Sequence, residues 1–115
     1  MTGETEIIEG LPIVCRLPGP ELRAREEALQ REVFGAAVEA RELADGYAVR
    51  FPGEADRLAT LAEFMRFERA CCPFLRLELH AEQQEGPLWL RLRGPAGAKA
   101  FIAELLGTPM AIPAH

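Results

Sequence analysis

Cys71 and Cys72 stand side by side in the stretch Glu68-Arg69-Ala70-Cys71-Cys72-Pro73-Phe74-Leu75, and they are two of only three cysteines in a chain of 115 residues. Sulfurs placed this way can hold a soft ion, exchange electrons as a disulfide, or simply fill a tight apolar corner. Glu68 precedes them by three and four positions, so on a helix its carboxylate lies over both sulfurs, where it can ligate or accept a proton. Cys15 is the remaining thiol and the candidate third ligand. A third sulfur from another part of the chain turns a weak pair into a defined cage.

Each of the three readings carries its own physical test. Thiolates select soft ions such as zinc, mercury, copper(I) or arsenite, and Cys71, Cys72, Cys15 and Glu68 form the candidate metal set, with His80 as a further auxiliary. Adjacent cysteines offer a poorer bite than a CxxC, and a tetrahedral structural zinc site takes four protein ligands. Redox chemistry is disfavoured at the C-terminal end of a helix beside an acid, where a thiol's pKa rises, and a vicinal Cys71–Cys72 disulfide would close a strained ring. The alternative is that all three cysteines are core, since free cysteine is among the most buried residue types. Glu68 resists that reading, because a carboxylate on an apolar stripe needs a partner, for which Arg16, Arg69 and Arg76 are the candidates.

Those residues must be positioned by a small number of elements. Ile13 to Leu17 alternates as a short strand with Cys15 facing inward, and Pro18-Gly19-Pro20 breaks it. Pro20 and Glu21 suit the first turn of a helix whose apolar residues are Leu22, Leu29, Val33, Ala36 and Ala37, with Arg25 among its wet-face residues. Val38–Leu43 and Tyr47–Phe51 flank Asp45-Gly46, a hairpin turn signal. A second helix runs over residues 54–70 with Leu58, Leu61, Ala62 and Met65 on its stripe, and Pro73 ends it at Cys71 or Cys72. A second hairpin pairs Phe74–Ala81 with Leu88–Arg93, and a last helix occupies residues 96–106.

The predicted class is α+β in the order β-α-β-β-α-β-β-α, an antiparallel sheet with helices on one face, ferredoxin-like or related. In the ferredoxin-like option the first strand neighbours the fourth, which would bring Cys15 to the Cys71-Cys72 joint. Residues 1–11 read as a loose arm, 12–107 as one domain and 108–115 as a frayed tail that includes His115.

Composition narrows the function. The chain is 49% hydrophobic, enough for one core without staples. It has an acidic N-terminus and no apolar run near the roughly 18 residues that span a bilayer, which reads as a cytoplasmic protein with reduced thiols. A net charge of −5 argues against phosphate-neutralising nucleic-acid binding. No serine is present, which removes serine hydrolase schemes, and with two histidines the chain leans away from catalysis. The outward row Phe74, Arg76, His80, Trp89 and Arg91 on the second hairpin reads as a partner face, expected to form a homodimer.

Glu68, Cys71, Cys72, Pro73 and Phe74 together spell Glu-x-x-Cys-Cys-Pro-Phe ahead of an alternating strand. In this motif the chain resembles a family of small, largely uncharacterised bacterial proteins. The resemblance extends to Cys15, to Asp45-Gly46 with Phe51-Pro52, and to Gly94-Pro95. Members occur near heavy-metal resistance and metal-responsive regulator genes, which implies a soft-metal connection.

Overall fold

A computed structural model describes residues 7–107; the C-terminal tail with His115 and the first six residues of the arm lie outside the described residues. Three helices and a four-stranded antiparallel sheet form an α+β fold: α1 (Gly19–Glu32), β1 (Glu39–Leu43), β2 (Gly46–Phe51), α2 (Ala55–Cys71), β3 (Arg76–Ala81), β4 (Leu88–Arg93) and α3 (Ala98–Leu106), with a short 3-10 turn at Phe34–Ala36. Strand order across the sheet is β1-β2-β4-β3. Both hairpins, the stop of α2 before Pro73 and the final helix stand where the pattern places them.

The first expected strand is not formed. Residues 13–17 have no ladder partner, because β4 pairs β2 on one side and β3 on the other and so takes the central place that a ferredoxin-like core gives its first strand. The order is therefore α-β-β-α-β-β-α, and the segment lies outside the sheet.

Alternation sets the two faces of the sheet. Ala40, Val49, Leu90 and Leu79 form one cross-strand row, and Phe51 and Leu88 continue the same apolar face. That face meets the helices: α3 lies against β2 and β4, α1 against α3, and α2 reaches β3. Phe34 stacks edge-on against Phe64 of α2 at 5.4 Å, joining the end of the first helical segment to the second. The stripe of α2 is rotated from the expected one. Leu61, Phe64, Glu68 and Cys71 are buried, while Leu58 and Ala62 are exposed, since Phe64 supplies more apolar area than Ala62 and turns the helix toward itself.

Among the described residues, no helix covers the opposite face of the sheet, which is an ionic lattice. Glu39 pairs with Arg41 and Arg50, Glu78 with Arg76, Arg91 and Arg93, and Asp45 with Arg93. Arg41 lies over the Trp89 ring at 4.9 Å, beside a groove that His80 also lines. Phe74 does not belong to this face as the alternation implied. The strand begins only at Arg76, and Phe74 turns inward to meet Phe101 edge-on at 5.2 Å.

One close approach holds the end of β4 against the joint. A Cβ on Gly94 would stand 2.6 Å from the Ala98 Cβ and 3.3 Å from the Phe74 carbonyl oxygen. Gly94→Ala is therefore expected to lower the unfolding free energy by about 1–3 kcal/mol, as overpacking does, in a denaturant titration. Unchanged stability would mean that the corner yields without cost.

Candidate metal centre

Pro73 builds the corner on which the centre sits. It restricts Cys72, whose backbone leaves the helical region at φ −123° and ψ 80°, so α2 ends at Cys71. The amide of Cys72 still donates to the Glu68 carbonyl at 2.8 Å, and the amide of Leu75 donates back to the Cys72 carbonyl at 3.0 Å, closing a turn around Pro73 and Phe74. The Cys71 carbonyl, left open at the helix end, accepts the amide of Arg16 at 2.9 Å. That bond ties the segment of residues 13–17 to the end of α2. Cys15 thus arrives beside the pair, as the sequence anticipated, although through a single backbone bond and not through strand pairing.

Among the described residues, the sulfurs of Cys15, Cys71 and Cys72 form a cluster whose members all lie within 4.8 Å of one another and can hold a metal ion. Cys15 and Cys72 are joined as a disulfide with Cα atoms 4.5 Å apart, inside the range that such a bond requires, and Cys71 is a free thiol. This corrects the expectation of three reduced thiols. The reason lies in the Arg16 tie, which brings the backbone at Cys15 alongside the end of α2. Cys71 and Cys72 are buried, at 7% and 0% exposure, and Cys15 is half-buried.

Glu68 faces the Cys72 sulfur from inside. Its carboxylate is 2% exposed, and its two oxygens serve different partners. Oε2 accepts from Nε and Nη2 of Arg25 at 3.2 and 3.1 Å, while Oε1 lies 3.6 Å from the Cys72 sulfur, a distance at which the thiol of a reduced Cys72 would donate to it. Burial pushes the Glu68 carboxyl above its usual range. Arg25 works against that shift, and Glu26 adds to it. Arg25 is held in turn by the Phe67 ring, 4.0 Å beneath its guanidinium.

The partner of Glu68 is thus Arg25, and none of Arg16, Arg69 or Arg76 fills that role. Arg16 and Arg69 are exposed, and Arg76 pairs with Glu78. Arg25 carried a readable signal. It stands three residues after Leu22 and four before Leu29, on the apolar stripe of α1, as Glu68 stands on that of α2. His80 takes no part, because it sits toward the far end of β3, cross-strand from Trp89.

Compared with protein-family models, curated proteins and solved structures, the chain finds no match in any of the three.

Removing Arg25 leaves a buried carboxylate without its counter-charge. Arg25→Ala is expected to destabilise the fold by about 2–4 kcal/mol near neutral pH, somewhat under a fully buried pair because Arg25 is 27% exposed. The pH dependence has a definite sign. A folded-state pKa above the unfolded value means that the folded chain binds the proton more tightly, so stability falls as pH rises through that interval. Loss of Arg25 raises the Glu68 pKa further and widens the interval. The deficit should be larger at about pH 7.5 than at about pH 5, and the double variant Arg25→Ala, Glu68→Gln should recover much of it. Equal deficits at the two pH values would contradict an ionised Glu68.

Proposed function

We propose that the chain binds one soft metal or metalloid ion through the thiolates of Cys15, Cys71 and Cys72, with Glu68 as the acceptor of a thiol proton. The observation that carries this reading is the convergence of three sulfurs from two separate segments, one of them, Cys72, facing a buried carboxylate. A carboxylate buried against a sulfur is costly in a purely packed corner, whereas beside a thiol that must ionise to bind an ion it has a use.

Three sulfur donors set the choice of ion. At a bond length of about 2.3 Å, three sulfurs around one ion stand roughly 3.7–4 Å apart, so the cluster needs a contraction of under about 1 Å and a reduced Cys15–Cys72 pair. A three-sulfur set suits mercury(II), arsenite or copper(I) better than structural zinc, which takes a fourth ligand. The site loads only when all three thiols are reduced, the state that a reducing compartment such as the cytoplasm maintains.

A second reading keeps the cysteines as packing and places the function on the uncovered sheet face, as a non-catalytic homodimeric module. Full burial of Cys72 favours the first half of it. The second half is weakened by the face itself, whose arginines and acids are paired within the chain and whose aromatic, Trp89, is already covered by Arg41.

Titration of the fully reduced chain with mercury(II), followed by the sulfur-to-metal absorption band, separates the two. One ion per chain is expected, with the three-sulfur band lost in each of Cys15→Ala, Cys71→Ala and Cys72→Ala. Glu68→Gln should bind about 10-fold more weakly near neutral pH, as loss of a supporting group does, with the gap narrowing at alkaline pH where thiols ionise unaided. Equal uptake by all three alanine variants would overturn the ligand assignment.

A further inference from the structure

We infer that Cys15 and Cys72 form a redox pair that gates this centre: as thiols they complete the ion's ligand set, and joined as a disulfide they exclude the ion and leave Cys71 as a lone buried thiol. The inference rests on the proposed ion binding and names its regulation.

The pairing is selective. Three sulfurs lie within 4.8 Å of one another, yet the bond joins Cys15 to Cys72 and leaves Cys71 free. The backbone explains the choice. Cys71 and Cys72 are sequence neighbours, for which a disulfide is a strained ring, whereas the Arg16–Cys71 bond sets the Cys15 and Cys72 Cα atoms 4.5 Å apart.

Cys72 also cannot serve both states at once. As a thiol it carries the proton that the facing Glu68 oxygen, 3.6 Å away, can accept. As half of a disulfide it has no proton to give and no thiolate to offer an ion. The oxidised centre thus retains only Cys71, and one thiolate is too few to replace a three-sulfur cage. The segment that carries Cys15 has no ladder partner in the sheet, so its sulfur can shift between bonding distance and the wider spacing of an ion cage without tearing the sheet.

Oxidation is written with a low-molecular-weight disulfide as the electron acceptor. Half-buried Cys15 is the more reachable sulfur of the pair. Its thiolate attacks one sulfur of the small disulfide, forming a mixed disulfide and releasing one small thiolate. Cys72, its proton passed to Glu68, then attacks the Cys15 sulfur, forms the internal bond and releases the second small thiolate. Two protein thiols and one small disulfide become one protein disulfide and two small thiols, a transfer of two electrons. A dithiol reductant reverses it.

The test uses the full chain in two covalent states. Reduced protein is treated with oxidised glutathione, the bond is located by peptide mapping without reduction, the small thiols are removed, and mercury(II) is added. The expected result is a Cys15–Cys72 link, loss of at least nine-tenths of the three-sulfur band, and its return after treatment with a dithiol. Cys71→Ala should still form the link. A link between any other pair, no link, or a three-sulfur band undiminished in the linked protein would overturn the gate. A chain that forms the link but shows no band even when reduced overturns the ion-binding reading and the gate with it, while leaving the disulfide as a structural bond.

Discussion

A carboxylate kept out of water is the constraint around which this molecule is arranged. Glu68 lies in the apolar core at the end of α2, and burial of an ionised group costs several kcal/mol unless partners replace the lost water. Its partners come from two directions. Arg25 reaches across from α1, and the sulfur of Cys72, the residue just past the last turn of α2, stands 3.6 Å from the other oxygen. The docking of α1 against α2 is thus charged as well as apolar, with Phe67 beneath the guanidinium and Phe34 against Phe64 at the other end of the contact. A pair with one face in water contributes less net stability than its geometry implies, but it fixes which turn of α1 meets which turn of α2.

The cysteine corner depends on that fixed docking and on one proline. Pro73 stops the helix, the stopped helix leaves the Cys71 carbonyl open, and the open carbonyl captures the amide of Arg16. Each step follows from the unpaired groups left by the one before. The bond between Cys15 and Cys72, 57 residues apart, then adds a covalent tie between the leading segment and the core. By loop-closure entropy a link of that span stabilises the folded chain by about 4 kcal/mol. A reducing environment removes that contribution, and an ion bridging the same sulfurs would restore a cross-link of the same kind.

Much of this was legible in the chain before its coordinates. Alternating Leu88, Leu90 and Leu92, the Asp45-Gly46 turn and the stop at Pro73 each obey local rules, and local rules decide hairpins and helix ends. The missing first strand shows where such rules end. Ile13–Leu17 has the right alternation, but a strand exists only where the sheet has a free neighbour, and β4 already fills that place. Phe74 departs from the alternation for a related reason, since the turn after Pro73 delays β3 to Arg76 and turns Phe74 inward. Arg25 reads as a wet-face residue because arginine usually belongs there. The pairing of one misplaced charge on each of two apolar stripes is a long-range fact, visible only when both helices are read together.

Three sulfurs meet where α2 ends and a separate segment is tied to it by one backbone bond. X-ray absorption at the mercury edge on the reduced chain carrying one equivalent of mercury(II) tests the central claim most directly, because it counts the sulfurs around the ion. Three equivalent sulfur neighbours are expected in the wild-type protein and a lower count in Cys15→Ala. Two sulfurs in both proteins would contradict it and leave the corner as packing.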